Sequence, residues 1–297
     1  MRVFWFDNMI LLFGFIYAAL AVSLAACTVR AVRYARLPVN LRWELYPIPH
    51  EDPMHAGHGG SYFEDLDWWT KPPRRHLLGE WKAMAAEIFL LRAMYEHNRK
   101  LWRCSYPFHL GLYILIFTGL AAAAPLPGLA WVGLAGCILV MAGAAGLLIH
   151  RISDRKLRLY SAPADYFNLC FFVAAAGGLA FSKLAPNGRS LAAVARALLT
   201  FDTGITLPAS QAVAMAAAAL LIAYIPMTHM AHFIAKYFAY HAIRWSDRPS
   251  AGLQGMERRI AEYLTYKPDW SAPHMGANSG ASWAEIVAQN PAAEKSK

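Results

Sequence analysis

The chain of 297 residues is 57% apolar and 16% charged, where an ordinary soluble domain carries roughly 25% charge, and its mean hydropathy is positive. That balance excludes a water-soluble globular enzyme and predicts an all-α integral membrane protein. The net charge of +9 would suggest nucleic acid in a soluble protein, but its cations are gathered in alternate loops, so membrane topology accounts for them and no nucleic-acid partner is expected.

A helix of roughly 20 apolar residues spans the hydrocarbon core. Five windows fit: 9–29, 107–124, 128–149, 165–182 and 208–237. The first is too long for a signal peptide and lacks its basic start, because Arg2 is offset by Asp7, so an uncleaved helix is expected. Twelve Lys and Arg lie between Arg30 and Arg103, four between Arg151 and Arg158, and eight from Lys236 onward, while the turn at Pro125 has none and the next outer loop only Lys183, Arg189 and Arg196. The positive-inside rule then puts the N-terminus outside and the C-terminus in the cytoplasm of a cell with this chain in its inner membrane. Four parts follow: a first membrane helix (1–30), a cytoplasmic loop with an amphipathic helix (31–105), a four-helix membrane region (106–243) and a C-terminal tail (244–297).

In chain order, the first helix leads into a basic segment and then a loop rich in Gly, Pro and aromatic residues, which suits the headgroup level or another subunit. His50, His55 and His58 in this loop match no standard metal-ligand spacing. From His76 to Arg103, Leu77, Trp81, Met84, Ile88, Leu91, Tyr95 and Trp102 recur at steps of three and four. Glu80, Glu87, Glu96 and Arg99 are placed off that stripe. One amphipathic helix is expected there, docked on the bundle, the bilayer surface or a partner.

The second membrane helix is predicted to start at Pro107, with His109 within a turn of it. The fifth ends in AYIPMTHMAHFIAKYFAYHAIRW, with His229 and His232 where a span would be aliphatic. Ionisable groups inside a membrane are costly unless something binds them, and a buried imidazole suits an axial ligand of heme iron. Helices two and five run in opposite directions, so His109 and the His229/His232 pair fall at similar depth on the cytoplasmic side. The outer half of the bundle has no histidine, so one heme b is expected; a second would need His97, His150, His229 or His241. Heme would be held noncovalently: Cys27, Cys104, Cys137 and Cys170 are scattered, with no Cys-x-x-Cys-His and no iron–sulfur cluster motif.

Lys236, Arg151, Arg155 and Arg158 stand at cytoplasmic helix ends. They suit heme propionates or a quinone carbonyl, and equally ordinary snorkelling cations. Asp165 suits a helix cap, an ion-pair partner or a proton acceptor. The chain has no Ser/His/Asp set, Gly-rich phosphate loop or membrane carboxylate pair, which argues against independent catalysis on a soluble substrate. No internal repeat or mid-span acid speaks for a transporter. A heme-free anchor that binds quinone directly is the alternative to a cytochrome. After Trp245 the chain turns polar; a short helix is expected within GLQGMERRIAEYLTYKPDW, followed by a tail ordered only on a partner.

Several stretches carry a family resemblance: WELYPIPHE and YFEDLDWW, FHLGLY, HRISDRKLRLYSAPADYFNL and PMTHMAHFIAKYFAYHAIRW. Together they cover most of residues 40 to 250. The chain resembles the gamma subunit of respiratory nitrate reductase, a five-helix cytochrome b, and is more similar to the cytochrome b subunits of transmembrane electron-transfer complexes in sulfate-reducing bacteria. The resemblance implies His109 and His232 as heme-iron ligands, with His232 six residues after Pro226 as in the family. His229 falls at a non-ligand position, open to a propionate or quinone contact, or to the ligand role if the register differs by one turn. Gly119 and Ala214 stand where the outer heme's ligands would be, so the chain departs from the family there. The resemblance further implies electron exchange between the quinone pool, menaquinone or similar, and a cytoplasmic iron–sulfur subunit of the heterodisulfide-reductase type, with a periplasmic multiheme cytochrome c as a further partner.

Overall fold

The computed structural model describes residues 9–37, 46–51, 59–71, 76–124, 126–247, 254–270 and 278–289, and among them every regular element is helical. His55, His58, Pro125 and the last eight residues lie outside the described set. The chain divides into two compact units, Met1–Ala35 with His76–Tyr237, and Arg36–Arg75 with Phe238–Lys297.

The first unit is built from α1 (Met9–Ala35), α2 (Leu77–Phe89), α3 (Arg92–His97), α4 (Arg99–Leu120), α5 (Leu129–Ser153), α6 (Arg155–Leu159), α7 (Pro163–Leu184), α8 (Leu191–Thr200), α9 (Ala209–Tyr224) and α10 (His232–Phe238). Among the described residues, four helices are long and apolar enough to cross a membrane: α1, α5, α7 and Ala209–Met227, which is α9 with a 3-10 turn. Of the five expected spans, the one missing from this set is α4. It has 22 residues, but Arg99, Lys100 and Arg103 open it and reduce its apolar character. Only 22% of the apolar window of α1 and 39% of that of α7 is buried. Leu24, Ile116, Phe117, Ile149 and Phe181 are all exposed. An apolar exterior of this extent is unfavourable against water and natural against lipid.

Packing runs α4 on α5, α5 on α7, α7 on α9, and α9 on α1. Between helices in lipid, close fit replaces the hydrophobic effect, and small residues permit it. A Cβ on Gly111 would stand 2.7 Å from the Gly136 carbonyl oxygen, and one on Gly143 would stand 2.5 Å from the Phe108 nitrogen, so α4 and α5 touch backbone to backbone. Phe108, Val140, Leu169, Phe172 and Leu221 fill the centre of the bundle. A second cluster joins Met9, Leu12 and Phe13 to Ala197 of α8 and Ala212 of α9.

Three expectations need correction. The amphipathic helix is not one element: Leu91 adopts a left-handed conformation (φ 51°) that ends α2, and Asn98 caps the start of α4 by accepting a hydrogen bond from the Leu101 amide at 3.1 Å. The second membrane helix therefore begins at Arg99, with Pro107 inside it. The fifth is also broken. Pro226 has no N–H to give the helix ladder, Thr228 is extended (φ −111°, ψ −179°), and its hydroxyl accepts from the Met230 amide at 3.1 Å to start a new turn at His229. Beyond these, the loop between α7 and α9 contains α8, capped by Ser190.

The second unit is held by two carboxylates. Glu51 is 3% exposed and accepts from the Ser61 hydroxyl at 2.7 Å and the Tyr62 amide at 3.2 Å. Asp247 accepts from the Tyr62 hydroxyl at 2.8 Å and pairs with His50 at 2.9 Å. His50 is thus bound within the loop by a carboxylate. Burial pushes the Asp247 carboxyl up, but the His50 and Tyr62 hydrogen bonds outweigh it and hold it below its ordinary value. Phe63 and Trp68 stack at 3.9 Å beside them. The expected short helix is present as α11 (Gln254–Leu264). The segment read as a partner-ordered tail contains α12 (Trp283–Ala288), fixed by the Ser282–Glu285 capping box and by Ile286, which is buried.

Candidate functional site

Two polar clusters form at the end of the first unit where α4, α7 and α10 begin and α5 and α9 finish. In the third turn of α4, the Nδ1–H of His109 donates to the Ser105 carbonyl oxygen at 2.8 Å, because a carbonyl can only accept. Its Nε2 is left with a free lone pair. Facing it, His232 opens α10. The two imidazole centres are 6.0 Å apart, with their planes at 69°. A metal–imidazole bond of about 2 Å puts the centres of two trans imidazoles about 6 Å apart. That separation is the one a single iron between the two rings would need, and the Ser105 carbonyl orients the His109 ring as such a ligand requires.

The Lys236 ammonium lies near enough to act electrostatically on both rings, and it is paired at 2.5 Å with Glu87 of α2. The Glu87 side chain is 8% exposed, and its other oxygen accepts from the Ala93 amide at 2.8 Å, which caps α3 across the break. Glu87 is therefore buried, contrary to its placement off the apolar stripe; Leu77, Trp81, Ile88 and Tyr95 of that stripe are exposed. The break is fastened to α4 by the Tyr113 hydroxyl, donating to the Ile88 carbonyl at 2.6 Å, and by the Trp102 indole, donating to the Leu90 carbonyl at 2.9 Å.

The second cluster surrounds Asp165, in the first turn of α7. One of its oxygens accepts from the Ala162 amide at 2.8 Å and lies 3.7 Å from the Arg151 guanidinium; the other is 3.0 Å from His229 Nε2. Asp165 is thus both helix cap and ion-pair partner. Beneath it Asn168, 2% exposed, accepts from the Tyr224 hydroxyl at 2.8 Å and lies 3.4 Å from His229.

Of the expected site residues, His109 and His232 meet, Lys236 stands beside them, and His229 is turned away toward α7. Arg155 is exposed at the first position of α6 and makes no side-chain hydrogen bond or ion pair among the described residues. Glu87, Asn168 and Tyr224 were not singled out by the sequence reading. Asn168 did carry a signal, as a lone amide in an apolar helix. No family model matches the chain, and neither a curated protein nor a solved structure matches it.

Proposed function

We propose that this chain is the membrane cytochrome b subunit of a respiratory complex, passing electrons between the quinone pool and a cytoplasmic iron–sulfur subunit of the heterodisulfide-reductase type. The observation that carries the reading is the facing pair His109 and His232 at 6.0 Å. Heme b, held by these two residues, would supply one-electron chemistry at its iron. Ser105 orients the His109 imidazole, and Lys236 provides a nearby positive charge balanced by Glu87. A single heme agrees with Ala214, 1% exposed and packed on Gly178 where an outer ligand would stand.

The reading takes α4 as a fifth span, its cationic first turn at the cytoplasmic surface with Arg151, Arg155 and Arg158, and it places the chain in the inner membrane with its N-terminus outside. The exposed stripe of α2 offers a docking face for the partner subunit. A multiheme cytochrome c is a further partner under the same resemblance. The test is a reduced-minus-oxidised spectrum with heme quantification on the purified chain and on H109A, H232A and H229A. One heme per chain, lost in the first two variants and retained in the third, supports the assignment. A wild-type chain without b-type absorbance rejects it and leaves the heme-free anchor.

A further inference from the structure

The end of the first unit opposite the histidines carries α8, a short helix fastened on both sides. Before it, the Arg189 amide donates to Gln211 Oε1 of α9 at 2.9 Å, Gln211 Nε2 donates back to the Arg189 carbonyl at 3.0 Å, and the Arg189 guanidinium donates to the Thr206 carbonyl at 3.1 Å. After it, Phe201 stacks on Tyr17 of α1 at 5.8 Å, and the Tyr17 hydroxyl donates to the Leu198 carbonyl. Val194 and Ala197 of α8 are buried. The helix is therefore a fixed wall.

Behind that wall is a cavity of about 180 Å³, lined by Ala218 and Ala219 of α9, Leu20 of α1, Leu179 of α7 and Leu198 of α8. The alanine run of α9 leaves this space, since a methyl group is all that each of its side chains contributes. The other lining residues are also aliphatic or Met. Leu20 and Ile222 at its edge are 46% and 42% exposed, so the cavity opens sideways, between helices of membrane length.

Size and chemistry separate the candidate occupants. Water needs two to four polar partners, and no lining side chain offers one. A helix with its side chains is about 10–12 Å across, too wide to enter. Left empty, the walls would forfeit dispersion contacts. A hydrocarbon chain fits, because an apolar cavity of about 150 Å³ already accepts a benzene-sized molecule.

We infer that this cavity binds one acyl chain of a phospholipid from the leaflet on the α8 side, held apart from the exchanging lipid layer. The chain touches four helices at once, whereas a chain lying on Leu24 or Phe117 meets a single exposed face. Walls already fixed lose little freedom when it enters. A phospholipid keeps its headgroup at the membrane surface and asks nothing polar of the lining, unlike a prenylquinone drawn in by its tail. The site is independent of the heme reading, which concerns the other end of the bundle.

The test is native mass spectrometry of the purified full chain released from detergent, with the retained lipid identified. One phospholipid per chain is expected, and A218W, which fills the cavity with an indole, is expected to lose it while keeping the wild-type thermal midpoint. A second measurement needs no variant: wild-type chain in phosphatidylcholine nanodiscs doped with phosphatidylcholine bearing a diazirine in one acyl chain is irradiated and its adducts mapped. Adducts on Leu20, Leu198 and Ala218 are expected to exceed those on Leu24 and Phe117. A wild-type chain that retains no phospholipid, a folded A218W that still retains it, a prenylquinone in its place, or adducts no denser in the cavity than on the open faces each overturns the inference. If A218W does not fold, the adduct map decides.

Discussion

His229 and His232 are three residues apart, yet they face different helices. His232 points to α4 and His109. His229 points to α7, with a carboxylate on one nitrogen. In an unbroken helix, residues three apart share a face, and both rings would compete for one neighbour. The break at Pro226 and Thr228 separates them. A helix interruption here does sorting work that no side-chain choice could do, letting one short segment present a metal-type ligand and a hydrogen-bonding imidazole in different directions.

The largest expected effect tests that contrast directly. H109A and H232A should each abolish the b-type absorbance while H229A retains it; equal loss in all three would mean the two histidines are not distinct. Next, E87Q leaves the Lys236 ammonium half-buried without its counter-charge, costing about 1–3 kcal/mol, read as a lower thermal midpoint. The added net positive charge beside His109 and His232 should also raise the heme midpoint potential in a redox titration. An unmoved potential would place Lys236 too far from the iron to matter.

A smaller effect is expected from P226A, which restores a helix donor and lets α9 run on toward α10. The thermal midpoint should shift modestly with heme content preserved; a loss of heme instead would show that the break serves His232. The smallest effect belongs to the second unit and serves as a control. Asp247 is held below its ordinary value when folded, so its stabilising contribution is complete above about pH 4 and fades as pH falls through the depressed value. D247N should therefore lower stability at neutral pH, with the difference from wild type shrinking in strong acid, and should leave the heme signal alone. A difference constant across pH would assign the defect to lost packing.

What the sequence made legible was whatever depends on neighbours along the chain. Apolar runs marked the four membrane-length helices, and His109 and His232 stood out because an imidazole in such a run requires a reason. The breaks were harder. Asn98, Ser190 and Thr228 are all helix-capping residue types, and each does cap, but Asn98 and Thr228 are embedded in periodic stretches that read as continuous helix, and Ser190 lies in the loop between two expected spans. Glu87 reads as lying off the apolar stripe because its partner Lys236 belongs to the opposite end of the unit in sequence; no local pattern announces a long-range ion pair. For the same reason the approach of His229 to Asp165 has no signal in the sequence.

The seam between α4 and α5 has a mechanical consequence. Where Gly143 lies against the Phe108 main chain, no layer of side chains separates the two helices, and side chains are the part of a packed interior that yields by changing rotamer. His109, the very next residue, is therefore mounted on a stiff double rod. Strain arriving from a docked subunit would move both helices as one body before it displaced that imidazole alone.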